Sequence, residues 1–216
     1  GIFVDGAGQR FANESAPYDR AGRAIIARLR DGRLTLPFWF VYDDRDGGMP
    51  PIAYPNLPLA DPAEYRAAGL WRSAPTLAAL ADTIGVPAAA LESTVARFNA
   101  QCEAGHDPDF HRGEEAYERL VINGETPLQA IARAPYHAIA FGLSDLGTKG
   151  GLRTDEHARV LDTSGAVLDG LYAAGNTMAA ASGEAYPGGG NPVGSSMIFG
   201  FIAARDASER AAPGQA

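Results

Sequence analysis

Gly170-Leu171-Tyr172-Ala173-Ala174-Gly175-Asn176 and, a little further on, Tyr186-Pro187-Gly188-Gly189-Gly190-Asn191-Pro192-Val193-Gly194 decide how this sequence is read. In the first stretch a short apolar run ends in a turn of small residues. In the second, a glycine-rich loop opens into an amphipathic segment that predicts a helix over residues 195–209. Glycines let the backbone approach a ligand closely, and the first turn of a helix offers N–H groups and the positive end of its dipole. Strand, bare turn, bare loop and helix N-terminus together suit a large, flat, partly anionic ligand. The pattern points to a cofactor.

Upstream of these loops the sequence predicts short β structure. His137 to Phe141 reads as a strand with His137 buried in it, residues 146–151 as a glycine loop, and residues 152–154 and 160–161 as short strands. A turn at Asp162-Thr163-Ser164-Gly165 precedes Val167. Residues 76–102 read differently. Thr76 is placed to cap a helix carrying Leu77, Leu80, Ala81 and Ile84 on one face, and Gly85 is placed to end it. Pro87 suits the first turn of a second helix with Leu91, Val95, Phe98 and Cys102 at helical spacing, so Cys102 is expected to face the core. Residues 107–127 read as a polar loop, and His106, Asp107, Asp109 and His111 as surface residues with no metal between them.

At the other end, residues 1–4, a turn at Asp5-Gly6-Ala7-Gly8 and residues 9–11 predict a β-hairpin. An irregular loop holds Tyr18, and Asp19 is expected to cap a helix over residues 20–30. Phe38-Trp39-Phe40-Val41-Tyr42 reads as a buried strand. Residues 43–62 read as proline-rich and irregular, with Asp43-Asp44-Arg45-Asp46 as a solvated loop. The expected class is α+β.

The chain has 216 residues, of which 46% are apolar, so it can bury a core. A net charge of −8 argues against nucleic acid or an anionic membrane as its partner. The single cysteine excludes an internal disulfide and gives no support for a thiolate metal site, and a reducing, cytoplasmic setting is expected. No apolar run approaches the ~20 residues of a membrane span. Ser182, Ser195 and Ser196 lack a histidine–acid arrangement nearby, which disfavours a serine hydrolase. Lys149, set between glycines, is equally suited to meeting an anion or to standing on a surface loop. The strand at residue 1 without a lead-in, and the lack of a G-x-G-x-x-G run after a strand, mark the chain as the C-terminal part of a longer protein. Residues 211–216 are expected to fray.

Residues 145–152 (Asp-Leu-Gly-Thr-Lys-Gly-Gly-Leu), the two glycine stretches and Phe11-Ala12-Asn13-Glu14-Ser15-Ala16-Pro17-Tyr18-Asp19 resemble flavoproteins of the fumarate reductase and 3-ketosteroid dehydrogenase superfamily. They are most similar to the 3-oxosteroid Δ1-dehydrogenases. The resemblance implies a split FAD-binding α/β domain whose C-terminal portion occupies residues 137–216. Residues 1–18 would be the end of an earlier FAD-domain segment entering the site, and residues 19–136 a catalytic, substrate-covering domain. It implies FAD as cofactor, a steroid-like ketone as substrate and an external electron acceptor. It also implies dependence on the N-terminal half of the FAD domain, where the family's adenosine site lies. The activity would be that of an oxidoreductase on CH–CH bonds, serving steroid metabolism and lipid degradation.

The resemblance also implies roles. Tyr186 and the backbone N–H of Gly190 would hold the 3-oxo group, where negative charge builds when a neighbouring proton leaves. Tyr18 would take that proton from C2, with hydride passing from C1 to flavin N5. A tyrosine base needs help, because its reference pKa is about 10, and the family draws that help from a second tyrosine in the other half. Gly175 and Asn176 match the turn beside the ribityl chain. Asn191, Pro192, Val193 and Gly194 match the loop facing the flavin pyrimidine. Two departures stand beside the proposed oxyanion site. Gly183-Glu184-Ala185 replaces the usual Gly-His-Thr, and residues 189–193 replace a loop usually built as Pro-Gly-Ala-Thr-Ile. Two rival readings follow: a fumarate-reductase-like enzyme clamping an unsaturated acid with Arg10, Arg20 or Arg153, and an inactive fragment serving as a binding module.

Overall fold

The computed structural model describes residues 1–51, 61–121, 126–145 and 147–211. The chain divides into two compact units, Gly1–Leu143 and Ser144–Ala216.

The first unit is built on a four-stranded antiparallel sheet of β1 (Ile2–Val4), β2 (Phe38–Asp43), β4 (Tyr136–Phe141) and β3 (Trp71–Ala74), in the spatial order β1-β2-β4-β3. Side chains alternate across it, as a pleated sheet requires. Ile2, Val4, Val41 and Ala138 face a core closed by α3 (Leu77–Ile84) and α4 (Ala88–Ala104), where Leu80, Leu91, Val95 and Phe98 are buried. Phe3, Phe40, Tyr42 and Ile139 form the opposite face with Trp71. Phe38 there meets Phe11, Leu34 and Ile25 of α1 (Tyr18–Arg30).

The α3–α4 pair follows the local signals. Thr76 Oγ1 accepts a hydrogen bond from Ala79 N at 3.1 Å, and Gly85 ends α3 in the left-handed conformation at φ 71°. Cys102 packs partly buried against this core. Elsewhere the structure corrects the sequence reading. Tyr18 is the first residue of α1 and not part of a loop, and Pro17 occupies the N-cap with no side-chain cap, so Asp19 sits inside the first turn. Residues 1–11 form a tight turn closed by Asp5 but return through a single bridge, Val4 to Arg10, while the other edge of β1 makes its ladder with β2. Within the expected polar loop lies α5 (Ala116–Val121). Two elements had no place in the reading: α2 (Pro62–Ala67), capped by Asp61, and β3. The proline-rich residues 52–60 and the fraying tail at 212–216 lie outside the described residues.

The acidic clusters are not solvated throughout. Asp43 is buried, pairs with Arg45 at 2.8 Å and accepts hydrogen bonds from Ala132 N and Arg133 N. Asp107 is fully buried against Arg10 at 2.8 Å. Both were expected at the surface. Arg10 lies far from Asp107 in sequence, and so do the amides that bond Asp43, although Arg45 stands only two residues from Asp43. His106 and His111 do lie exposed, each beside Glu114, and no cluster able to hold a metal occurs among the described residues.

In the second unit β5 (Arg159–Leu161) pairs antiparallel with β6 (Val167–Tyr172), and α6 (Asn191–Ala211) follows the glycine loop. Its small core is Val160, Ala173 and Met178, with Phe199 of α6 packed on them.

Candidate functional site

β6 delivers the chain to buried Ala173 and then to a 3-10 turn, Gly175–Thr177, where Gly175 takes φ 63°. The preceding glycine loop lies along this turn. Leu152 N donates to Thr177 O and Ala179 N to Leu152 O, each at 2.9 Å. Gly151 makes that approach possible, since a Cβ there would stand 2.6 Å from Thr177 O. Thr148 Oγ1 donates to Asn176 O at 2.9 Å, and Ala180 N to Lys149 O at 3.0 Å. Sequence reading assigned no role to Thr148 or Ser182. Leu146 of the loop lies outside the described residues.

The segment after the turn is held by its own bonds. Lys149 Nζ donates to Ser182 Oγ at 3.0 Å, and Ser182 Oγ to Ala185 O at 3.0 Å, one residue before Tyr186. The Lys149 ammonium stands 5.8 Å from the centre of the Tyr186 ring. α6 then starts at Asn191, earlier than the Ser195 expected from the apolar pattern, with Pro192 in its first turn, a position that suits proline. Gly194 N donates to Gly190 O at 2.8 Å, while Ser195 and Ser196 turn their hydroxyls back to Pro192 O. Ser196 Oγ would lie 3.2 Å from a Cβ on Gly175, so the turn rests against the first turns of α6.

These pieces enclose a cavity of about 130 Å³ lined by residues that include Lys149, Asn176, Tyr186, Asn191, Pro192 and Ser196. Gly175 also lines it. Gly190, Val193 and Gly194 stand at the start of α6 outside that lining, and Val193 is 65% exposed. A Cβ added to Gly188, Gly189, Gly190 or Gly194 would meet nothing within 4 Å. Bare backbone therefore opens on free space beside the positive end of a long helix. A flat ring system with an anionic edge fits this surface.

Tyr18 belongs to the other unit, where it is 47% exposed at the start of α1. The loop leading to it is fixed by a buried ion cluster. Arg10 Nη2 bonds Glu14 Oε2 at 2.9 Å, Arg112 Nη1 reaches the same oxygen at 3.0 Å, and Phe3 N donates to Glu14 Oε1. Burial alone would push the Glu14 carboxyl up, but Arg112 and Arg10 overcome it and leave it below the ordinary carboxylate value. Asn13 Nδ2 donates to buried Glu118 at 2.6 Å, which ties the same loop to α5. His137 is buried as expected, with Nδ1 2.7 Å from Ser73 Oγ and Nε2 3.1 Å from Asp44 Oδ1.

The sequence model of the FAD binding domain matches residues 1–193. The chain belongs to the FAD binding domain family. Among its relatives in the family, a 3-oxosteroid 1-dehydrogenase of Mycobacterium tuberculosis is 39% identical over 97% of this chain and 39% of its own length. A 4-oxocyclohexanecarboxylate 2-dehydrogenase of Sinomonas cyclohexanicum is 36% identical over 98% of this chain and 37% of its own length. Among solved structures, a 3-ketosteroid Δ1-dehydrogenase of Sterolibacterium denitrificans in complex with 1,4-androstadiene-3,17-dione superimposes with a TM-score of 0.82. That match has 36% identity and covers 97% of this chain and 38% of that one. The chain thus spans about two fifths of the length of the relatives it matches.

Proposed function

We propose that the protein to which this chain belongs is an FAD-dependent oxidoreductase that introduces a carbon–carbon double bond next to a ketone, with a 3-oxosteroid as substrate. The supporting observation is the joint placement of Tyr186, the Asn176 turn and the α6 N-terminus around one cavity, in a chain related throughout to dehydrogenases of cyclic ketones. The domain assignment belongs to this proposal: residues 1–18 and 137–216 to the FAD domain, residues 19–136 covering the substrate. So do an external electron acceptor, a contribution from the other half of the FAD domain, a role in steroid metabolism and, on the strength of a single cysteine, a cytoplasmic setting.

Gly175, Asn176 and residues 191–194 would hold the flavin with bare backbone and the Val193 N–H in the first turn of α6, since Pro192 has no N–H and Asn191 N and Gly194 N donate to Gly188 O and Gly190 O. Bound FAD supplies the two-electron acceptor that removing hydrogen from a C–C bond requires. The chain's own residues do the rest. Tyr18 takes the proton beside the carbonyl. The Tyr186 hydroxyl and Gly190 N–H donate to the carbonyl oxygen as it gains negative charge, which lowers the barrier to losing that proton. The fumarate-reductase-like alternative is weaker, because two of its three candidate clamps are committed elsewhere. Arg10 is buried against Glu14 and Asp107, and Arg20 pairs with Glu115.

The test uses the full-length protein. It should purify yellow, and a 3-oxo-4-ene steroid should bleach it without oxygen; a colourless or unresponsive protein removes the proposal. Tyr186→Phe should lower turnover at least ~10-fold if its hydroxyl serves the oxyanion. Titration of the chain alone with FAD tests the binding-module reading.

A further inference from the structure

We propose that Lys149 is a positioning residue for Tyr186: it holds the 182–186 segment in place and sets a positive charge beside the phenol ring. The inference rests on the reading of Tyr186 as a carbonyl-binding donor.

Three observations carry it. First, Lys149 is held to the 180–182 segment at two points. Its backbone carbonyl accepts from Ala180 N at 3.0 Å, and its Nζ reaches across to Ser182 Oγ at 3.0 Å. Second, Ser182 passes the connection on. A hydroxyl has one hydrogen and two lone pairs; here the hydrogen goes to Ala185 O at 3.0 Å, which leaves a lone pair for the lysine. The residue joined to Tyr186 by a peptide bond is thereby fixed relative to Lys149. Third, the same Nζ lies 5.8 Å from the centre of the Tyr186 ring, and both side chains line the cavity together.

The chemistry gives this bracket a purpose. Residues 183–190 contain four glycines, so the backbone around Tyr186 has little stiffness of its own. A hydrogen-bond donor to a developing oxyanion works only if it is already in place, and a misplacement of about 1 Å can cost ~100-fold in rate. When Tyr186 shares its hydrogen with the carbonyl oxygen, electron density rises on the phenol, and a fixed cation beside the ring stabilises it. Lysine suits both tasks: its stem spans from one loop to the next, and its ammonium has three donors.

The test compares four forms of the FAD-loaded full-length enzyme on a 3-oxo-4-ene steroid: wild type, Lys149→Met, Tyr186→Phe and the double variant. Lys149→Met keeps the length of the side chain without charge or donors. It should lower kcat ~10-fold with KM within ~3-fold of wild type, while in the Tyr186→Phe background it should cost less than ~2-fold, since its effect passes through the hydroxyl. Lys149→Arg, which keeps charge and donors, should recover most of the loss. The Kd of a 3-oxo-1,4-diene steroid, read from the shift of the flavin band, should weaken by a similar factor in Lys149→Met and Tyr186→Phe. A wild-type rate in Lys149→Met, or the same loss with and without the Tyr186 hydroxyl, overturns the inference. A wild-type rate in Tyr186→Phe removes the underlying reading instead. Should Lys149→Met lose its flavin, Ser182→Ala breaks the bracket more gently: a several-fold lower kcat supports the inference and an unchanged kcat overturns it.

Discussion

The two units differ in how they are held together. Gly1–Leu143 carries two sheet faces covered by side chains, a helix pair capped at its key ends and a buried ion cluster joining residues separated by about a hundred positions. Among the described residues of Ser144–Ala216 the buried apolar ones are Ala158, Val160, Ala173 and Met178, with Phe199 packed on the last three, and backbone hydrogen bonds join its glycine-rich loops. α6 shows the difference most clearly. Phe199 points to the small core, while Val193, Met197, Ile198 and Phe201 are each more than half exposed along another face of the same helix. An exposed apolar stripe of this length is unusual for a finished surface. The first unit covers both faces of its sheet with its own side chains. The other keeps an apolar face and bare backbone for what binds there, which in the proposed enzyme is flavin and the rest of the FAD domain.

The comparison can be broken at its strongest point first. Arg10→Met leaves the Glu14 and Asp107 carboxylates buried without their main partner, and should cost about 3–5 kcal/mol in urea unfolding of the chain. A change near zero would mean that the cluster does not lock the first unit. Phe98→Ala, in the core between sheet and helices, should cost about 3–5 kcal/mol by the same measurement, because a cavity is left where a ring was fully buried.

Acid gives a finer test. Burial works to raise the Asp43 carboxyl, but Arg45 and the amides of Ala132 and Arg133 hold it down to about 2. A group whose pKa is lower folded than unfolded contributes its stability above the unfolded value of about 3.9 and loses it as pH falls toward the folded one. Stability should therefore drop between about pH 4 and pH 2. Asp43→Asn should flatten that part of the curve, and an unchanged curve would remove Asp43 from the account. The smallest effect belongs to the second unit. Phe201→Ser should change the stability of the isolated chain by no more than about 0.5 kcal/mol while lowering its binding of a hydrophobic dye. In the full-length protein the same change should loosen flavin retention. Equal tolerance in both would show that nothing covers this face.

The helix pair was legible because its signals are local: Thr76, Gly85 and the periodic apolar residues lie within reach of one another in the chain. β3 was not, because Trp71-Arg72-Ser73-Ala74 has too little pattern to mark a strand and becomes one by pairing with β4. α1 began earlier than its apparent cap, since Pro17 supplies the helical entry that Asp19 seemed placed to give. The surface reading of Asp107 failed for a general reason. An acidic residue is taken as exposed unless its partner is visible, and Arg10 lies 97 positions from Asp107. At the site, the glycine spacing showed where backbone would be bare, and residue type marked Tyr186. The bracket from Lys149 through Ser182 to Ala185 stayed hidden in a loop that sequence leaves without orientation.

By itself, then, the sequence determined the helix pair, the apolar strands near residues 38–42 and 137–141, and a bare turn and glycine loop leading into a helix, because each depends on neighbours a few residues away. Tertiary structure alone decided which charges are buried and which lysine attends which tyrosine. Those choices depend on groups that only folding brings within a few ångströms, where a hydrogen bond or an ion pair has its whole effect.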